Sequence, residues 1–104
     1  MWEEIIRSFT EFPRDVQSRP LTKRPGLWFY ICVADGTLYV DCTKEHQPSS
    51  NLSQRRRLAK STETCDVMHD IYCRRKRGEP ISAEATSKTV NQVYWYGIFA
   101  DLEK

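Results

Sequence analysis

The chain has 104 residues, of which 39% are hydrophobic and 29% charged, and its formal net charge is +2. That length fits a single domain over 1–104, able to bury a core without a disulfide or a metal. The composition excludes a disordered or fibrous chain. No apolar run approaches bilayer length, and the start MWEEIIRSF lacks the basic and unbroken apolar segments of a secretion signal, so a cytoplasmic protein is expected.

In chain order, residues 2–12 read as a helix. Trp2, Ile5, Ile6, Phe9 and Phe12 recur at offsets that make one apolar stripe, and Pro13 stops it. Residues 13–25 contain three prolines and read as an extended connection. The strongest local signal follows. GLWFYICVA (26–34) and TLYVDCT (37–43) are rich in β-branched and aromatic residues, and Asp35-Gly36 between them suits a type I′ turn. A two-residue turn sets the register, pairing Ala34 with Thr37, Val33 with Leu38, Cys32 with Tyr39, Ile31 with Val40, Tyr30 with Asp41 and Phe29 with Cys42.

Alternation then defines two faces. Leu27, Phe29, Ile31, Val33, Leu38, Val40 and Cys42 carry no charge or hydroxyl and form the predicted core face. Trp28, Tyr30, Cys32, Tyr39, Asp41 and Thr43 form the other, where flat aromatic surface is combined with polar tips. Such a face suits a ligand or a base, or else a packed helix. Cys32 and Cys42 fall on opposite sides and are not expected to bond. With Cys65 and Cys73 they make four cysteines, without the spacing of a zinc site. Reduced thiols are the expectation.

Residues 44–51 read as a polar loop, and 52–60 as a short helix capped by Ser50 or Asn51. Residues 65–77 read as a firmer helix, with Thr64 as N-cap and Cys65, Met68, Ile71 and Tyr72 on one face. Asp70 and Arg74 sit at i,i+4 spacing, and Gly78 with Pro80 ends the helix. Ser82 can cap a brief helix through Ala83, Glu84 and Ala85. NQVYWYGIFA (91–100) is apolar all round and reads as a final strand over 92–100, covered on both sides. The fold class expected is α+β: a small antiparallel sheet, made of the hairpin 27–43 and the strand 92–100, packed with three or four helices.

Charge is uneven. Between Ser50 and Gly78 there are eight Lys or Arg against Glu63, Asp66 and Asp70, a local excess of +5. Arg55, Arg56 and Arg57 with Lys60 form one cluster; Arg74, Arg75, Lys76 and Arg77 form another at a helix end, where cations also suit the dipole. Guanidinium groups match phosphate oxygens. Trp28, Tyr30 and these cations are therefore the candidate nucleic-acid contacts. His46, in a loop, and His69, expected to face solvent, have no Cys or carboxylate at ligand spacing.

At the hairpin the chain resembles the GIY-YIG nuclease superfamily, over about residues 25–60. Gly26-Leu27-Trp28 stands where that family has its first motif and Tyr39-Val40-Asp41 where it has its second, with ADGT between them. The resemblance implies an arginine on the next helix (Arg55, Arg56 or Arg57), a metal-holding glutamate (Glu84, or else Glu79) and an asparagine (Asn91). The catalytic set it implies is Tyr39, Arg56, Glu84 and Asn91, with Glu84 as the metal ligand. Trp28 replaces the family's first tyrosine, and an indole cannot act as a base. The implied state is thus a catalytically inactive relative that keeps nucleic-acid binding, with no cofactor. Two alternatives stand beside it. One is an active phosphodiesterase using Mg²⁺; the other is a protein-interaction or homo-oligomerisation module pairing through the C-terminal strand.

Overall fold

In a computed structural model, the described residues are 1–18, 26–43, 45–49, 52, 54–60, 62–81, 83–85 and 91–103. Helix α1 (Trp2–Glu11) leads into β1 (Arg14–Gln17), β2 (Trp28–Ala34), β3 (Thr37–Asp41) and β4 (Arg56–Ala59). Helices α2 (Thr62–Lys76) and α3 (Gln92–Leu102) follow, with a helical turn at 83–85 between them. The four strands form one antiparallel sheet in the order β1-β2-β3-β4. The α+β class is as expected.

The hairpin is built as its turn chemistry requires. Asp35 and Gly36 adopt φ of 51° and 72°, the left-handed pair that matches strand twist. Pairing runs from Ala34–Thr37 to Tyr30–Asp41 as predicted, and stops one rung short of Phe29–Cys42. Phe29, Ile31, Leu38 and Val40 are buried, but Leu27 is 45% exposed because it lies before β2 begins. All four cysteines are free thiols. Burial pushes the Cys65 thiol up to about 11.

Several sequence expectations are corrected. The segment at 92–100 is not a strand but helix α3, with Tyr94 to Phe99 all buried. A helix enclosed on every side loses its amphipathic stripe, so its sequence looks like that of a doubly covered strand. Strand pairing with another chain through this segment is therefore unavailable; Trp95 is fully buried. Within the helix expected at 52–60, the described residues 54–60 are not helical either. Their arginine-rich run has good helix propensity, yet β3 offers a free edge, and β4 pairs with it through a bulge at Leu38/Tyr39. Leu58 and Ala59 are buried by that pairing. The extended connection contributes β1, whose Val16 is buried beside Phe29.

Helix α2 begins at Thr62, so Thr64 lies in its first turn instead of capping it. Its buried face is the predicted one, and Arg74 pairs with Asp70 at 3.1 Å. His69 does not face solvent freely: its half-buried ring meets Phe99 edge-on at 5.0 Å. Ser50, Asn51 and Ser82, the other expected caps, lie outside the described residues, as do 19–25 of the connection.

All three long helices bury their apolar residues against one face of the sheet. Ile5 and Phe9 of α1, Met68 and Ile71 of α2, and Trp95, Ile98 and Phe99 of α3 meet Phe29, Ile31, Leu38 and Val40 there. Arg14 ties the layer together. Its guanidinium donates to Asp101 Oδ2 of α3 at 2.6 Å and to Ser8 Oγ of α1 at 3.0 Å, and it lies 4.1 Å from the centre of the Phe9 ring.

A methyl group on Gly97 would stand 2.8 Å from Phe29 Cζ and 3.0 Å from the Gln17 carbonyl oxygen. Gly97→Ala should therefore lower stability by about 1–3 kcal/mol, as overpacking does, in a urea melt. At the far end of α3, a hydrogen bond from Lys76 Nζ at 2.7 Å is the main influence holding the Glu103 carboxyl below its usual range; burial opposes it and the Tyr72 hydroxyl adds to it. A depressed folded-state pKa stabilises above the ordinary value of about 4.5 and is lost as pH falls through the folded one. The urea midpoint should thus fall more steeply below about pH 4.5 for the wild type than for Glu103→Gln.

Candidate functional site

With the helices on one side, the reverse face of the sheet is left open among the described residues. Trp28, Tyr30, Cys32, Tyr39 and Asp41 are each half-buried. Cross-strand pairing arranges this face in rows: Gln17 beside Trp28, then Asp15–Tyr30–Asp41, then Cys32–Tyr39–Arg57. Arg55, just before β4, lays its guanidinium over the Tyr39 ring at 4.0 Å from the centroid. Burial pushes the Cys32 thiol up, and the neighbouring Arg55 cation partly opposes this.

The opposite side of this face is acidic and concave. A cleft of about 820 Å³ is lined by Phe12, Arg14, Asp15, Trp28, Tyr30 and His46, among others. The His46 ring stacks on Trp28 at 4.1 Å, with 19° between the planes. His46 Nδ1 lies 2.5 Å from Asp15 Oδ2, and the Thr43 hydroxyl donates to the same oxygen. Thr43 Oγ1 in turn accepts from the backbone N–H groups of Glu45 (3.2 Å) and His46 (3.4 Å), which shapes the loop. A carboxylate can only accept, so the His46–Asp15 bond puts a proton on Nδ1 and leaves Nε2 as the other ring nitrogen. The Tyr30 hydroxyl is pushed up, first by burial, then by Cys32, Asp15 and Glu45 nearby.

This Asp15–His46 pair was not legible in the sequence, where the two residues are 31 apart and His46 has no partner at ligand spacing. Sheet pairing brings them together. The available hint was Thr43, placed to fold its hydroxyl over a turn that ends at His46.

The sequence-predicted residues are distributed over both sides of the sheet. Trp28, Tyr30, Tyr39, Arg55 and Arg57 share the open face. Arg56, opposite Val40, turns to the helix side and donates to Asn91 Oδ1 at 3.0 Å, so two members of the implied catalytic set do meet. Glu84 is apart from them, clamped by Arg74, whose Nη1 is 3.2 Å from Oε1. It belongs to no cluster of metal-ligating groups among the described residues. Glu79 pairs with Arg77 at 2.9 Å. Lys60 is exposed just past β4. On α2, Arg75 lies over the Tyr96 ring at 4.4 Å and Lys76 over Tyr72 at 4.9 Å. The second basic cluster is thus engaged with acids and rings of its own domain.

Comparisons with protein-family models, with curated proteins and with solved structures give no match to this chain. Among the described residues no helix is long and apolar enough to cross a membrane.

The electrostatics of Cys32 can be checked by alkylation. The pH midpoint for labelling Cys32, read by mass spectrometry of its peptide, should lie above that of the unfolded chain. Arg55→Ala should move it higher still, because the cation that favours the thiolate is gone.

Proposed function

We propose that this is a small nucleic-acid-binding domain that receives single-stranded DNA or RNA on the open face of its sheet. One observation carries the reading: three aromatic side chains with polar tips, Trp28, Tyr30 and Tyr39, lie half-exposed on a rigid sheet, bordered by Arg55 and Arg57 at the β4 edge. Unstacked bases find flat partners in such rings, and their phosphates find the guanidinium groups. The Arg55–Tyr39 stack holds one cation ready at the ring without removing it from solvent, since Arg55 itself is exposed.

The phosphate contacts are assigned to Arg55, Arg57 and Lys60. The α2 cluster is left out of the surface because Arg74, Lys76 and Arg77 already meet Asp70, Glu84, Glu103 and Glu79, and Arg75 lies over Tyr96 of α3, away from the open face. The reading keeps the GIY-YIG resemblance in its inactive form. Trp28 cannot take a proton from water, and Glu84 is held by a guanidinium rather than offered to Mg²⁺. Trp28 and Tyr30 border Asp15, Asp41 and Glu45, so the strand's phosphates would keep to the β4 edge while its bases reach across to these two rings.

A labelled oligonucleotide followed by fluorescence anisotropy tests this. With three cations neutralising phosphates, log affinity should fall against log salt with a slope of about −2. Tyr39→Ala should weaken binding by about 1–3 kcal/mol, the worth of one stacked base. Arg55→Ala combined with Arg57→Ala should flatten the salt slope. Absence of binding at low salt, or binding unchanged in these variants, ends the proposal.

A further inference from the structure

Outside the basic edge, the chemistry of the molecule is concentrated in the acidic cleft. One ligand atom each from Asp15, Glu45 and His46 lies within 4.8 Å of the others. They come from β1 and from the loop after β3, so only the folded chain assembles them. The geometry points to a binding site here for one divalent transition-metal ion of the zinc class.

The Asp15 side chain is 7% exposed, and both of its hydrogen bonds, from Thr43 and from His46, fall on Oδ2. Among the described residues no donor meets Oδ1. That leaves Oδ1 at the wall of the cleft, open to it and with no donor of the described chain to displace, where a cation can reach it. His46 and Glu45 supply the two further ligands, and both are exposed. A tetrahedral site has ligand–ligand edges of roughly 3.3 Å, so shifts of an ångström or two in these atoms would fit them to one ion. The His46 ring would then exchange its hydrogen bond to Asp15 for a bond to the metal.

The donor set selects the ion. An imidazole nitrogen with two carboxylates favours zinc-class ions, whereas Mg²⁺ and Ca²⁺ prefer oxygen alone. Three protein ligands leave a fourth position open toward the cleft. Thr43, which donates to Asp15, and Trp28, which stacks on His46, would orient the ligands from outside. The inference does not depend on nucleic-acid binding and stands or falls separately.

Calorimetric titration of the folded, reduced protein with ZnCl₂, repeated with CoCl₂ under an absorption spectrometer, decides it. Expected are one ion per chain, the visible bands of tetrahedral Co²⁺ without thiolate charge transfer, and a change in Trp28 fluorescence. His46→Gln and Glu45→Gln, both at exposed positions, should each weaken binding roughly tenfold or more while circular dichroism stays unchanged. Asp15→Asn should weaken it further. No binding of either ion overturns the site. So does binding unaffected by His46→Gln, or a thiolate charge-transfer band showing that cysteines hold the metal.

Discussion

Everything in this molecule follows from the tight reversal at Asp35-Gly36 and the pairing it imposes. Two residues at positive φ leave no slack in the register, so each side chain of β2 and β3 is committed to one face. A slip of one position would send Phe29, Ile31, Leu38 and Val40 into water and bring Tyr30 and Asp41 into the core. The free-energy cost of that exchange holds the hairpin in place, and the hairpin in turn holds β1 and β4 at its edges.

The sorting decides where the helices can go. Only one side of the sheet offers an apolar floor, and α1, α2 and α3 all occupy it. Arg14 then ties α1, β1 and α3 through a largely buried ion pair with Asp101 and a stack on Phe9. Arg14 has Asp101, Ser8 and the Phe12 carbonyl as partners, so removing one of them would leave a largely buried charge uncompensated. The opposite side, uncovered among the described residues, keeps its rings and its charges available.

That open side is divided by charge. Cations gather at the β4 edge, where a strand rich in arginine can pair on one side and present long side chains on the other. Carboxylates gather at β1 and the loop after β3. The division puts a basic lip and an acidic cleft on one surface about four strands wide. The same alternation that hides the core residues brings these opposed charges out on one surface.

The sequence by itself determined what depends on neighbouring residues: helix α1 with its apolar stripe, the turn and its register, the buried face of α2, and the Trp28, Tyr30 and Tyr39 face. Each rests on spacing within a few residues or on one turn type, so a linear reading suffices. Only the tertiary structure decided the rest. Arginine-rich β4 is a strand because β3 had an unpaired edge, and α3 could not announce itself as a helix because packing against α2 and the sheet buries Tyr94 to Phe99 and erases the apolar stripe. Asp15 and His46 meet because the β1–β2 and β2–β3 pairings set Asp15, Tyr30 and Asp41 in one row and the turn after β3 brings His46 back to it, from 31 residues apart. Long-range pairing and enclosure depend on partners distant in sequence, and neither local spacing nor local propensity records them.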